Sequence, residues 1–95
     1  MSFQEQIKDN LTNKGLSLSS INLYIRNLTK LNDDEKLKSF KFLEDIDSIK
    51  NKIASFKPTT QKGYITCIIS TLSTFDTKKT KTLQNKYYEL LKKKV

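Results

Sequence analysis

An all-α fold, a compact bundle of four to five short helices, is what three features of the sequence predict. Apolar residues recur at three- and four-residue intervals through most of the chain. Glycine occurs twice and proline once, which argues against a turn-rich β fold and against a disordered linker. Ninety-five residues with 36% hydrophobic content and no tryptophan make one domain, residues 1–95, around a single lean core.

The elements follow in order. Phe3, Ile7 and Leu11 recur every four residues and predict a first helix, with Lys14 in its last turn and Gly15 suited to the left-handed position after its end. Residues 16–19 form a short connection. Ile21, Tyr24, Ile25, Leu28 and Leu31 mark a second helix, capped by Ser19 or Ser20. In "NDDEKLKSFKFLEDIDS", Asp33 or Asp34 is suited to cap a turn carrying Leu37 and Phe40, and Phe42 and Leu43 to plug the core. Asp47 or Ser48 caps a short third helix carrying Ile49, Ile53 and Phe56. Pro58 cannot continue that helix, which makes Lys57 a boundary. A fourth helix starts at Thr59 or Thr60 and runs to about Phe75, with Tyr64, Ile65, Ile68, Ile69 and Leu72 in its stripe. Its dense β-branched residues raise a strand reading, which length and apolar spacing oppose. Leu83, Tyr87, Leu90 and Leu91 mark a fifth helix, docked by one face and basic on the other.

Charge is unevenly spread. Residues 1–47 hold seven basic and eight acidic side chains, whereas residues 48–95 hold eleven basic ones against Asp76 and Glu89 alone. A composition merely rich in lysine would not remove the acids from one half, so a polyanion partner is expected. Cys67 is the one cysteine and can form no internal disulfide, which fits a reducing intracellular compartment, cytoplasm or host nucleus. No apolar run reaches membrane-spanning length, and "MSFQEQIKDN" is too polar for a signal peptide.

Several chemistries are excluded. With no histidine and one cysteine, neither a Cys/His metal site nor a histidine-assisted nucleophile can be built. Gly15 and Gly63 stand alone and form no phosphate loop. The carboxylates at Asp33–Glu35 and Glu44–Asp47 lie at expected helix starts, where capping explains them better than a cation. No catalytic site and no cofactor are expected.

The one internal repeat is a helix start. "SSINLYIRNLTKL" (Ser19–Leu31) and "TTQKGYITCIISTL" (Thr59–Leu72) both open on two hydroxyl residues, with a tyrosine four positions after the second: Ser20 to Tyr24, Thr60 to Tyr64. Free N–H groups and partial positive charge at a helix N-terminus suit a phosphate. Two such starts held side by side, flanked by Lys57 and Lys62, would make a platform with two points of DNA entry. Capping alone would explain the hydroxyls, but not the matched tyrosines.

"GLSLSSINLYIRNLTKL" resembles the segment that opens the core-binding domain of tyrosine recombinases of the phage-integrase type. Leu16, Ser17, Ser20, Ile21, Tyr24 and Leu28 fall on its pattern without a gap. Thr60, Tyr64, Ile68, Leu72 and Phe75 are similar to its second segment, and the likeness covers about Gly15 to Phe75. It implies a helical half-clamp on double-stranded DNA at a recombination site, its second and fourth helices meeting the duplex near their N-terminal ends. Carried onto this chain, the DNA-binding candidates are Ser19, Ser20, Asn22 and Arg26, then Lys57, Thr59, Thr60, Lys62 and Thr66. Tyr24 and Tyr64 fall on packing stripes and read as core. Gly63 takes a groove-facing position where many members carry a longer polar side chain.

The family's catalytic constellation is not in this sequence. Tyr87 and Tyr88 lie among lysines without arginine or histidine nearby. The resemblance therefore implies either the N-terminal part of a recombinase, whose partners include a C-terminal catalytic domain and other recombinase protomers, or a stand-alone DNA-binding relative. The ending "YYELLKKKV" shows no terminal cap, and a longer parent protein is expected. The Lys/Asn/Ile-rich composition suits a virus or mobile element with AT-rich DNA.

Alternatives are a protein-interaction module, with residues 78–95 detaching to expose an apolar groove, and a helix-turn-helix regulator turning through "SFKPTT". A membrane-surface role for the last helix ranks lower, its polar face being read as free of aromatic anchors.

Overall fold

The computed structural model describes residues 2–92. Among these, the helices are α1 (Phe3–Lys14), α2 (Leu18–Leu31), α3 (Ile46–Ile53), α4 (Pro58–Ser73) and α5 (Lys78–Lys92), with a 3₁₀ turn at Lys41–Leu43 and no strand. The bundle is all-α. Of the terminal lysine run, Lys93 and Lys94 lie outside the described residues.

Each helix boundary has a local cause. Ser2 caps α1 through the Glu5 N–H at 3.2 Å. Gly15, at φ 101°, ends it, and its N–H and that of Leu16 close back on the carbonyls of Thr12 and Leu11. The cap of α2 is Ser17, which accepts from the Ser20 N–H at 3.3 Å, and not Ser19 or Ser20 as expected. Leu16 and Ile21 then bracket the start as an apolar pair in the core, the arrangement that fixes the angle of chain entry.

Asp33 and Asp34 do not cap a following turn either. Both are left-handed (φ 57° and 63°) and end α2. Lys52 from α3 stabilises that end, donating to the Leu31 carbonyl at 2.7 Å and pairing with Asp33 at 3.0 Å. A cation at a helix C-terminus meets the negative end of the dipole. Asp45, not Asp47 or Ser48, caps α3 by accepting from the Ser48 N–H at 3.1 Å. Phe56 and Phe75 lie just past the ends of α3 and α4, outside the helices to which the spacing assigned them. Thr77 caps α5 through the Thr80 N–H at 3.2 Å.

The core is one cluster, to which every helix contributes. α4 runs through it, packed on α5 and on α2, while α1 packs on α2. Leu37 and Leu43 plug the core from the long connection before α3. Phe40 meets Phe3 and Phe75 edge-on, with ring centroids 4.8 Å and 4.9 Å away, and so ties α1 and the end of α4 to that connection.

The adjacent tyrosines divide. Tyr87 is wholly buried, its hydroxyl donating to the Leu43 carbonyl at 2.7 Å, whereas Tyr88 is 44% exposed. The expectation that the polar face of α5 lacks an aromatic is therefore overturned. With Leu83, Tyr87 and Leu90 all buried, α5 is part of the core, at about 1.5–3 kcal/mol per large side chain. Detaching it would dissolve that core instead of uncovering a ready groove.

Two measurements test this packing. Tyr87→Phe, which strands a buried carbonyl, is expected to cost about 1–3 kcal/mol in urea unfolding. Burial also raises both the Tyr87 hydroxyl and the Cys67 thiol, the tyrosine helped by the nearby Asp45 charge. The thiol moves from its ordinary 9.0 up to about 12. Between those values the folded chain holds a proton that the unfolded chain has lost, so stability falls as pH rises through the window, by at most about 1.4 kcal/mol per pH unit per group. The urea midpoint should drop between pH 9 and 11, and Cys67→Ala should flatten the early part of that drop.

Candidate nucleic-acid interface

Counting from the caps, Ser19 and Ser20 are the second and third residues of α2, and Thr59 and Thr60 the second and third of α4. Tyr24 and Tyr64 then share the seventh position. The repeat is thus one helix start used twice in the same register, although α4 begins at Pro58, one residue before the expected start. Its cap residue, Lys57, makes no side-chain cap bond, so the N–H groups of Thr59 and Thr60 receive no capping oxygen from it. Pro58 has no N–H to satisfy and is at ease in the first helical position.

The two starts do not sit side by side. The Cys67 thiol of α4 donates to the Tyr24 carbonyl of α2 at 3.6 Å. Further along α2, the Lys30 ammonium lies 5.6 Å over the Phe56 ring, which stacks on Tyr64 near the start of α4. Ahead of α2, Lys14 reaches Ser73 Oγ at 2.8 Å and the Ser70 carbonyl at 3.4 Å, in the last turns of α4. The helices therefore run in opposite senses. At 1.5 Å per residue, Ser20 and Thr60 stand about 16 Å apart along the axes, one at each end of the pair.

Each of the two helices keeps one polar side out of the core. Ile21, Ile25 and Leu28 of α2, and Tyr64, Ile68 and Leu72 of α4, point into the core. The opposite sides carry Ser19, Asn22 and Arg26 on α2, and Thr59, Lys62, Gly63 and Thr66 on α4, all exposed. The two helices are packed neighbours, about 8–10 Å between axes, and each carries its own strip. Lys57 and Thr60 are exposed at one end of the pair, and Ser20 is half-buried at the other. Neither α2 nor α4 contains an aspartate or glutamate.

Ser20 shares its hydroxyl with Ser17 at 3.2 Å. The side chains of Ser19, Asn22, Arg26, Lys57, Thr59, Thr60, Lys62 and Thr66 make no hydrogen bond or ion pair with the described residues. Tyr64 is buried and Tyr24 half-buried against the core, in keeping with their reading as packing residues. Beneath the strips, the Thr71 hydroxyl is buried without a hydrogen bond of ordinary geometry, and from one turn away it only weakly offsets the rise in the Cys67 thiol. Among the described residues, no His, Cys, Asp or Glu group is placed to hold a metal ion, and no helix is long and apolar enough to cross a membrane.

No family model matches this chain, and neither do the curated proteins nor the solved structures.

Gly63 stands mid-helix on the α4 strip, and a Cβ added there would meet nothing within 4 Å. Packing does not require the glycine, and a glycine inside a helix costs about 0.8–1 kcal/mol relative to alanine. Gly63→Ala should therefore raise stability by about that much, read as a shift of the urea midpoint at unchanged slope.

Proposed function

We propose that this chain binds duplex DNA through the exposed polar strips of α2 and α4, as the core-binding part of a tyrosine recombinase. The observation that carries the reading is a set of eight exposed polar and basic side chains, uncommitted within the described fold, seven on α2 and α4, which contain no carboxylate, and Lys57 at the α4 cap. Fold class and helix order agree with the resemblance read from the sequence, which supports the family assignment. The chain supplies grip: it has no histidine and only Arg26 as arginine, so bond breaking and joining belong to another domain.

The opposed senses of α2 and α4 change how that grip works. A start at each end of the pair, about 16 Å apart, suits phosphates on the two rims of a major groove about 12 Å wide. Free N–H groups with Lys57 at the α4 start would position the backbone, as phosphate contacts do. Arg26, Asn22 and Thr66 lie between the ends, where base edges would be met. Gly63 would let the duplex approach the α4 backbone closely.

The helix-turn-helix alternative is less well supported. A recognition helix needs a broad free face, and α4 buries Gln61, Tyr64, Ile65, Cys67, Ile68, Ile69, Thr71 and Leu72, leaving a narrow strip. The protein-interaction module loses its groove with α5 docked. The remaining exposed apolar side chains on the helix pair, Leu18 at 73% and Leu23 at 50%, stand apart on α2.

Titration of a short AT-rich duplex at two salt concentrations tests the proposal. Lys57→Ala and Lys62→Ala should each weaken binding across sequences and lower the log–log salt slope by about 1, whereas Lys8→Ala on α1 should leave both unchanged. Equal losses from all three would remove the face. Gly63→Ala, stabilising for the fold, should weaken duplex binding; an unchanged affinity would end the close-approach role.

A further inference from the structure

The solvent side of α5 repeats the spacing that apolar stripes use inside, with different chemistry. Lys78, Lys81, Asn85, Tyr88 and Lys92 follow at intervals of three, four, three and four residues, and all are exposed. At 3.6 residues per turn they fall within about a quarter of the helix circumference, along about 21 Å. The Tyr88 ring therefore lies between lysines on a helix whose only acid is Glu89. Lys81 also holds Asp76 at 3.1 Å, an ion pair open to water and weak for that reason. The Tyr88 ring is not part of the core cluster: Tyr87, next to it, takes the core position.

We propose that this strip is a second, separate nucleic-acid contact, which binds single-stranded DNA or RNA by stacking an unpaired base on Tyr88 while Lys78, Lys81 and Lys92 follow the phosphates. Duplex bases are stacked on one another and leave no face for an exposed ring, whereas an aromatic among cations is the usual platform for a single strand. An anionic membrane would satisfy the lysines, but one tyrosine flanked by Asn85 and Lys92 offers too little apolar surface for interfacial insertion. The inference rests on α5 alone and goes beyond the duplex reading.

The chain has no tryptophan, so Tyr88→Trp installs its only indole. Titrating that variant with a twelve-nucleotide oligo(dT) at low salt should quench the indole emission at least twofold, and added salt should reverse the quench. By anisotropy with a labelled oligo(dT), Tyr88→Ala should bind at least fivefold more weakly than the native chain, and Tyr88→Phe nearly as well. Lys8→Ala on α1 should leave these responses unchanged. A duplex titration that fails while oligo(dT) still quenches removes the α2–α4 proposal and supports this one. Unaltered emission at saturating oligo(dT), or equal affinity for Tyr88→Ala, overturns it. So does a blue shift with phosphatidylserine vesicles but none with oligo(dT), which would assign the strip to membranes.

Discussion

Everything else in this fold is arranged around the burial of α4. A chain this short can bury one helix on most of its circumference, and it spends much of its lean apolar content doing so: α5 covers one side, α2 another, and the plug at Leu37 and Leu43 closes the core they enclose. The polar residues of α4 are thereby confined to a strip, and the fold fixes where that strip points. A surface helix could rock or fray under a ligand's pull. One held on several sides presents its exposed residues at a set angle, and a polar contact face needs that rigidity most.

Helix identity and core residues were legible in the sequence because apolar periodicity reports burial directly. Ile21, Ile25, Leu28, Ile68, Leu72, Leu83 and Tyr87 all face inward as their spacing implied. Cap positions were less legible. Three serines crowd positions 17, 19 and 20, and each could cap α2; the half-buried Leu16 and the buried Ile21 decide for Ser17, and that is tertiary information. Asp45 prevails over Asp47 and Ser48 in the same way, because Leu43 must first reach the core. Asp33 and Asp34 were misjudged for a different reason. Aspartate tolerates left-handed backbone as readily as it caps, and Lys52, which stabilises the turn they make, comes from twenty residues away.

Of the candidate site, the residues were readable and their relative placement was not. Matching starts on two helices say nothing about whether those helices run with or against each other. That sense emerges only from contacts such as Tyr24 with Cys67 and Lys14 with Ser73. Likewise "YY" in a lysine-rich helix gives no sign of which ring is inside until the phase of the apolar stripe is set by Leu83 and Leu90.

Cys67 lies where α2 crosses α4, sealed from solvent with its sulfur against the Tyr24 carbonyl. Because the chain has no other thiol, that seam carries its own clock. Any reagent that captures a thiolate must wait for α2 to lift, so the pace of capture measures how often the contact face comes apart, set against how often the whole chain unfolds. Were the seam to open far more often than the core, the two strips would act as jaws with a hinge. Were the rates equal, α2 and α4 would move as a single rigid plate.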